Sequence, residues 1–127
     1  MLYTVQSDKP LDQLSRDLEE AVQRNKFGIV GVHDLKETMQ KKGVDFKPRC
    51  LIYEVCNPHQ AKRVLEADME ISTALPCRIS LYEEGAKSVL STIKPTAMLA
   101  LFGKEELETV AREVEETVIR IMDEAAR

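Results

Sequence analysis

The sequence contains no apolar run that approaches the roughly 18 to 20 residues a helix needs to cross a bilayer. Residues 1–10 also lack the basic segment followed by an apolar one that is typical of an export sequence. We therefore expect a protein that does not insert into a membrane and that works in the cytoplasm.

Two nucleotide-binding motifs are missing, namely G-x-G-x-x-G and G-x-x-x-x-G-K, so a Rossmann fingerprint and a P-loop are both excluded. Positive charge is also scarce, because 18 Lys and Arg stand against 22 Asp and Glu and the net charge is −4. One local basic patch, residues 41–49, is interrupted by Asp45, and we interpret it as a solvated rim. The charge balance therefore disfavours nucleic acid as a partner.

Cysteine is sparse and odd in number, and no C-x-x-C pair occurs, which argues against a disulfide framework and for reduced thiols. Cys50 and Cys56 lie on one predicted strand about 20 Å apart, which is too far to share an ion. Cys56 and His59 are three residues apart and could share one, with Cys77 as a third ligand if its strand runs antiparallel beside that of Cys56. These three residues are the candidate metal site.

What is present is an ordinary globular composition, with 43% hydrophobic and 31% charged residues in 127 positions. This length predicts one domain, residues 1–127, with one core. The pattern of apolar residues predicts strands over residues 2–6, 27–33, 50–56, 77–83 and 87–93. It predicts helices over residues 11–24, 35–42, 58–67 and 104–126, and a compact apolar stretch over residues 96–102. The expected class is α+β, with a mostly antiparallel sheet and its two long helices on one face.

Residues that could bind a ligand or take part in catalysis are most concentrated at two predicted strand-to-helix junctions, His33-Asp34 and Cys56-Asn57. Free N–H groups at a helix start favour anions and thiolates, so the pKa of the Cys56 thiol could be depressed there. A base for such a thiol would have to be His33 or His59. Alternatively, Cys56 packs as a small hydrophobic side chain.

The apolar stretch over residues 96–102 is more hydrophobic than one face of a short helix requires. The apolar side chains that this short helix does not need to bury could form a dimer interface or the wall of a ligand pocket. A fully buried connecting helix is the other interpretation, and the sequence leaves all three open.

Four blocks of the sequence resemble the prokaryotic family called domain of unknown function 302. They are HDLKETMQKKGVDF (33–46), EVCNPHQA (54–61), LPCRISLYEE (75–84) and STIKPTAMLALFG (91–103). The resemblance implies a β-α-β(4)-α fold of the TATA-binding-protein-like type, with short helices in the connections, and it implies homodimers. It implies no activity. Its signature positions in this sequence are His33, Asp34, Lys36, Cys56, Asn57, Pro58, Cys77, Arg78, Lys94 and Pro95.

Our leading hypothesis is a dimeric binding or sensing module with a pocket for a small ligand or anion, and no cofactor is identified. The candidate ligand-binding residues are His33, Asp34, Lys36, Cys56, Asn57, Cys77, Arg78 and Lys94. One alternative is a thiol-dependent redox enzyme or metal-binding protein that uses Cys56, Cys77 and either His33 or His59. A second alternative is a purely structural dimerisation module that associates through residues 96–102.

Overall fold

All five strands of the chain form one antiparallel sheet, and the computed structural model describes residues 1–127. The strands are β1 (Leu2–Ser7), β2 (Gly28–Asp34), β3 (Cys50–Cys56), β4 (Cys77–Glu84) and β5 (Lys87–Ile93). Their order across the sheet is β1-β5-β4-β3-β2, so β1 and β2 are the two edges. The α+β class with an antiparallel sheet is confirmed.

Five α-helices complete the fold, and two of them are long. They are α1 (Leu11–Arg24), α2 (Leu35–Lys41), α3 (Pro58–Ala67), α4 (Pro95–Leu99) and α5 (Leu107–Ala126), with 3₁₀ helices at Met69–Ala74 and Ala100–Phe102. The long helices α1 and α5 contact each other and pack on one face of the sheet. No helix is both long and apolar enough to span a membrane.

The core lies between the sheet and the two long helices, because both surfaces present apolar side chains at the period of their own backbone. Along α1 the buried positions are Leu11, Leu14, Leu18, Ala21 and Val22, which follow helical spacing. On β3, Leu51, Tyr53 and Val55 alternate with less buried residues. Polar contacts join the layers at their rims, since Ser7 Oγ donates to the carbonyl of Ala126 at 2.9 Å.

Neither long helix covers the other face of the sheet, which we call the open face. Cross-strand pairing places Leu2 opposite Ile93, Ile52 opposite Ser80, and Glu54 opposite Arg78 on this side. The side chains of the open face are Leu2, Thr4, Gln6, His33, Cys50, Ile52, Glu54, Arg78, Ser80, Tyr82, Glu84, Lys87, Val89, Ser91 and Ile93. Leu2 is 61% exposed and Ile93 is 44% exposed, so the face carries uncovered apolar surface.

The structure differs from the predicted elements mainly before the last helix, which begins at Leu107 and not at residue 104. Gly103 has a left-handed backbone (φ 64°) that ends the preceding 3₁₀ helix. The N–H groups of Leu107 and Glu108 then donate to the carbonyls three residues earlier, at 3.1 Å each. Because of these tight turns, the regular α-helix begins only at Leu107.

Candidate functional site

The two strand-to-helix junctions lie at opposite ends of the sheet. In the antiparallel β2–β3 pair, Gly28 faces Cys56 and His33 faces Ile52. Four residues of strand therefore separate the two junctions, which is about 13 Å. The hypothesis that His33 and Cys56 share one pocket is wrong for this reason, and Asp34 and Lys36 lie with His33 at the other end.

The start of α3 has no free N–H groups for an anion. Asn57 Oδ1 accepts hydrogen bonds from the N–H of His59 at 3.0 Å and of Gln60 at 3.1 Å. The N–H of Ala61 donates to the Asn57 carbonyl at 2.9 Å, and Pro58 has no N–H. Because all four first-turn positions are accounted for, this helix start does not offer the anion site that the sequence suggested.

The start of α2 is also closed to anions, for an electrostatic reason. The Asp34 carboxylate accepts a hydrogen bond from the N–H of Glu37 at 3.0 Å and so caps the start of the helix. Its negative charge lies where an anion would have to bind. Glu37 in turn pairs with Lys41 at 2.8 Å, one turn along the helix.

An apolar cleft opens at the Cys56 end of the sheet, between β3, β4, α3, α4 and α5. Cys56 and Cys77 both line it, and we call it the cysteine cleft. Its apolar walls come from Phe27, Val55, Ala61, Val64, Ala74, Leu75, Pro95, Met98, Leu99 and Val114. Asn57 and Gln60 are its only polar residues, and no charged side chain lines it. The cleft has a volume of about 40 Å³, so it suits a neutral group of about three heavy atoms.

The apolar stretch predicted over residues 96–102 contributes to this cleft through Met98 and Leu99. Leu99 is buried, and only Leu101, which is 82% exposed, presents a large apolar side chain to solvent. The stretch is therefore not a fully buried connecting helix, and two of its residues form part of the wall of the cleft. Lys94 comes immediately before α4, and its N–H donates to the Met1 carbonyl at 2.8 Å.

The two thiols of the cysteine cleft are poor nucleophiles. Burial raises the pKa of Cys56, and burial, with a smaller contribution from neighbouring Cys56, raises the pKa of Cys77 to about 11. For Cys56 this direction is opposite to the depressed pKa that the helix start suggested, because the capped start of α3 supplies no free donors. Cys50 lies at the other end of β3, with its Sγ 3.9 Å from Ser80 Oγ.

The proposed metal ligands are not arranged as a metal site. Cys56 and Cys77 line one cleft, but His59 is exposed on the first turn of α3. No group of three or more His, Cys, Asp or Glu side chains in the structure could hold an ion.

Charged side chains meet on the open face instead. Glu54 lies between two cationic or ionisable partners, with Oε1 2.9 Å from His33 Nε2 and Oε2 3.4 Å from Arg78 Nε. The carboxylate sits over Gly31, which follows an irregularity in β2. Sequence spacing gave no indication of the contact between His33 and Glu54, because 21 positions separate the two residues.

Gln60 is the other residue that the sequence did not single out. It lines the cysteine cleft, and its Oε1 is buried without a hydrogen-bond partner. Its helical spacing was the available indication, because Gln60 precedes the buried Val64 by four residues on the same side of α3.

An open-faced α+β sandwich with an apolar cleft at one end of its sheet defines the class of domain. The chain belongs to the family described as domain of unknown function DUF302, whose model matches residues 3–125. It is similar to the crystal structure of the uncharacterized conserved protein DUF302 from Bacillus stearothermophilus. That similarity has a TM-score of 0.93 at 29% identity and covers 99% of this chain and 98% of the other. No curated protein matches the chain.

Proposed function

We propose that the protein is a binding module for a small neutral molecule, which it holds in the cysteine cleft. The observation that carries this proposal is the composition of the cleft, since 11 of its 14 lining residues are hydrophobic and none is charged. Small-molecule sites are concave and mostly apolar, with a few polar groups that fix orientation. Asn57 and Gln60 are the groups of this kind here.

The raised pKa values of Cys56 and Cys77 support binding over thiol chemistry. Protonated thiols behave as small, polarizable apolar groups and add to the wall of the cleft. An anionic ligand would lose its hydration without gaining a cation, because no Lys, Arg or His lines the cleft. The ligand class is therefore neutral.

The test is binding of small probe molecules, followed in amide NMR spectra of the whole protein. We expect propane and ethanol, which have three heavy atoms each, to produce saturable shifts at Ala61, Val64 and Met98, all of which line the cleft. Ala61→Leu fills the cleft and should abolish these shifts. The matched control Ala100→Leu adds the same side chain at an exposed position outside the cleft and should leave them intact. Equal binding by Ala61→Leu, or no saturable binding by the wild type, would refute the proposal.

Self-association through the open face is a second candidate function. The specific observation that favours it is the pairing of exposed Leu2 with exposed Ile93 on a face that neither long helix covers. A second copy of the chain would cover this surface, as two sheets do in a face-to-face sandwich. The charges of the face suit such a partner, because Glu54 and Arg78 neutralise each other within one copy although the whole chain is acidic.

Sedimentation equilibrium over a range of protein concentrations tests this second candidate. We expect a dimer for the wild type and monomers for Ile93→Lys, which places a charge at the exposed apolar pair formed by Leu2 and Ile93. Leu101→Lys is the matched control, since Leu101 is the more exposed of the two but lies on the 3₁₀ helix after α4. If Leu101→Lys dissociates the dimer and Ile93→Lys does not, residues 96–102 form the interface and the open face does not.

A further inference from the structure

We propose that the open face carries a second binding site, a shallow groove that takes a small organic carboxylate with an aliphatic tail. The groove lies over the central strands β4 and β5 and has a volume of about 290 Å³. We call it the open-face groove. It shares no lining residue with the cysteine cleft, so this site goes beyond the proposed function and can be tested independently of it.

The open-face groove exists because two small side chains meet in the middle of the sheet. Ser80 on β4 pairs with Ser91 on β5, and its neighbour on the other side is Ile52 on β3. Side chains on one face of a strand recur every second residue, so Arg78 and Tyr82 flank Ser80 along β4. The two serines therefore form a floor between longer side chains. The resulting volume is close to that of the smallest ligand pockets, about 300 Å³.

Arg78 is the only charged residue that lines the open-face groove, and it has donors to spare. Its side chain is 55% exposed, and its ionic partner is Glu54, whose Oε2 lies 3.4 Å from Nε. The terminal nitrogens of the guanidinium therefore keep N–H groups for a ligand, and a carboxylate can accept from two of them at once. One cation matches the single negative charge of a carboxylate.

The rest of the groove combines hydroxyl groups with apolar walls. Ser80 Oγ has only the Cys50 Sγ near it, at 3.9 Å, so its hydroxyl can still donate to an anion. Leu2 is 61% exposed and Ile93 is 44% exposed, and both line the groove. An aliphatic tail placed against them would remove apolar surface of both partners from water. The guanidinium and the apolar walls therefore recognise the two ends of one molecule.

The experiment compares three probes by titration in amide NMR spectra of the whole protein at neutral pH. They are 3-methylbutanoate, 3-methylbutanamide, which keeps the shape without the charge, and acetate, which keeps the charge without the branched tail. We expect 3-methylbutanoate to produce saturable shifts at Ser80 and Ser91 and to bind about tenfold more tightly than either of the others. The protein is kept dilute, because a second copy docked on the open face would cover the groove.

Three variants test the role of the guanidinium. Arg78→Met should weaken the binding of 3-methylbutanoate about tenfold and leave that of 3-methylbutanamide unchanged. Arg112→Met removes the same net charge at an exposed position outside the groove, and it should change neither affinity. Glu54→Gln should strengthen the binding of 3-methylbutanoate about threefold, because it removes the carboxylate that competes for Arg78.

Equal losses in Arg78→Met and Arg112→Met would reveal a general charge effect and would overturn the inference. Equal affinities for 3-methylbutanoate and 3-methylbutanamide, or no saturable binding of 3-methylbutanoate, would overturn it as well. So would shifts confined to Ala61 and Val64, which line the cysteine cleft. None of these results decides the proposed function, which is tested with neutral probes at the cleft. Thermal unfolding verifies that Arg78→Met is folded, and Arg78→Gln replaces it if it is not.

Discussion

Glu54 Oε1 lies 2.9 Å from His33 Nε2 across the β2–β3 pair, and the same carboxylate contacts Arg78 on the other side. Because a carboxylate only accepts hydrogen bonds, His33 Nε2 must carry a proton in this contact. The tautomer of neutral His33 is therefore fixed with Nδ1 unprotonated. Glu54 is only 17% exposed, and it joins the two more exposed side chains into a cross-strand cluster on the open face.

Gly31→Ala should destabilise the protein through this cluster. An added Cβ at residue 31 would lie 2.5 Å from Glu54 Oε1, so the carboxylate would have to move away from His33. Because the atom that must move is the end of a flexible side chain, we expect a loss of about 1 kcal/mol, comparable to one cross-strand pair. Urea denaturation monitored by circular dichroism measures the change.

Gly28→Ala is the matched control for this prediction. Its added Cβ would have no heavy atom nearer than the Cys56 carbonyl oxygen at 3.9 Å, and so this variant should be neutral or slightly stabilising. The cost of Gly31→Ala should also shrink when Glu54 is replaced by alanine. A cost that is the same in the Glu54→Ala background would show that the backbone, and not the carboxylate, requires glycine at residue 31.

Tyr3 and Asp123 join the edge strand β1 to the last helix, and this contact predicts a pH-dependent stability. The hydrogen bond from the Tyr3 hydroxyl to Asp123, and then burial, raise the pKa of Tyr3 to about 12. A pKa that is higher in the folded state stabilises the fold below the unfolded value of about 10, and this stabilisation is lost as the pH rises from about 10 to 12. Tyr3→Phe should cost about 1 kcal/mol at neutral pH and lose less stability over that alkaline range.

Chemical denaturation of the wild type and of Tyr3→Phe at a series of pH values tests this. Other groups that titrate at alkaline pH contribute to both proteins, so the difference between the two curves isolates Tyr3. Ultraviolet titration of the wild type should show one tyrosine hydroxyl ionising near pH 12 that is absent from the variant. Parallel stability curves for the two proteins would mean that the Asp123 contact does not couple to folding.

Alkylation rates should separate a packing thiol from a catalytic one. Burial raises the pKa of Cys77 from 9 to about 11, which lowers its thiolate fraction near neutral pH roughly a hundredfold. We expect Cys77 to react with iodoacetamide at neutral pH at least that much more slowly than it does in urea-unfolded protein. Mass spectrometry of peptides after timed quenching gives the rate for each cysteine. Fast neutral-pH alkylation of folded Cys56 or Cys77 would restore the thiol-dependent enzyme as a candidate.

Local features of the fold could be predicted from the sequence, whereas the site could be predicted only in part. β3 and α3 have the predicted bounds, because the alternation of Leu51, Tyr53 and Val55 and the Asn57-Pro58 start are properties of neighbouring residues. The pairing of β2 with β3 depends on contacts far apart in the chain. Sequence spacing therefore could not show that antiparallel pairing separates His33 from Cys56.

The burial of Gln60 could not be predicted from the sequence either, for a different reason. A glutamine on a predicted helix is ordinarily a solvated side chain, and its burial follows from how α3 packs near α5 and the 3₁₀ helix Met69–Ala74. Only the assembled cleft shows that its Oε1 has no donor. The family resemblance did not supply this residue either, since Gln60 is absent from the signature positions that the sequence indicated.

Asn57 should stabilise the start of α3, which lines the cleft, by capping this helix. Alanine at this position should destabilise the protein, and aspartate should restore most of the lost stability. Asn57→Ala removes the acceptor for the N–H groups of His59 and Gln60, and we expect a loss of about 1 kcal/mol in urea denaturation. Asn57→Asp keeps a side-chain oxygen at this position and places a negative charge at the helix start, so it should recover most of that stability at neutral pH. Protonation of the introduced carboxylate removes this charge, so the recovery should weaken in acid. If Asn57→Asp is as unstable as Asn57→Ala, the amide contact to the Lys26 carbonyl, and not the cap, is what the position contributes.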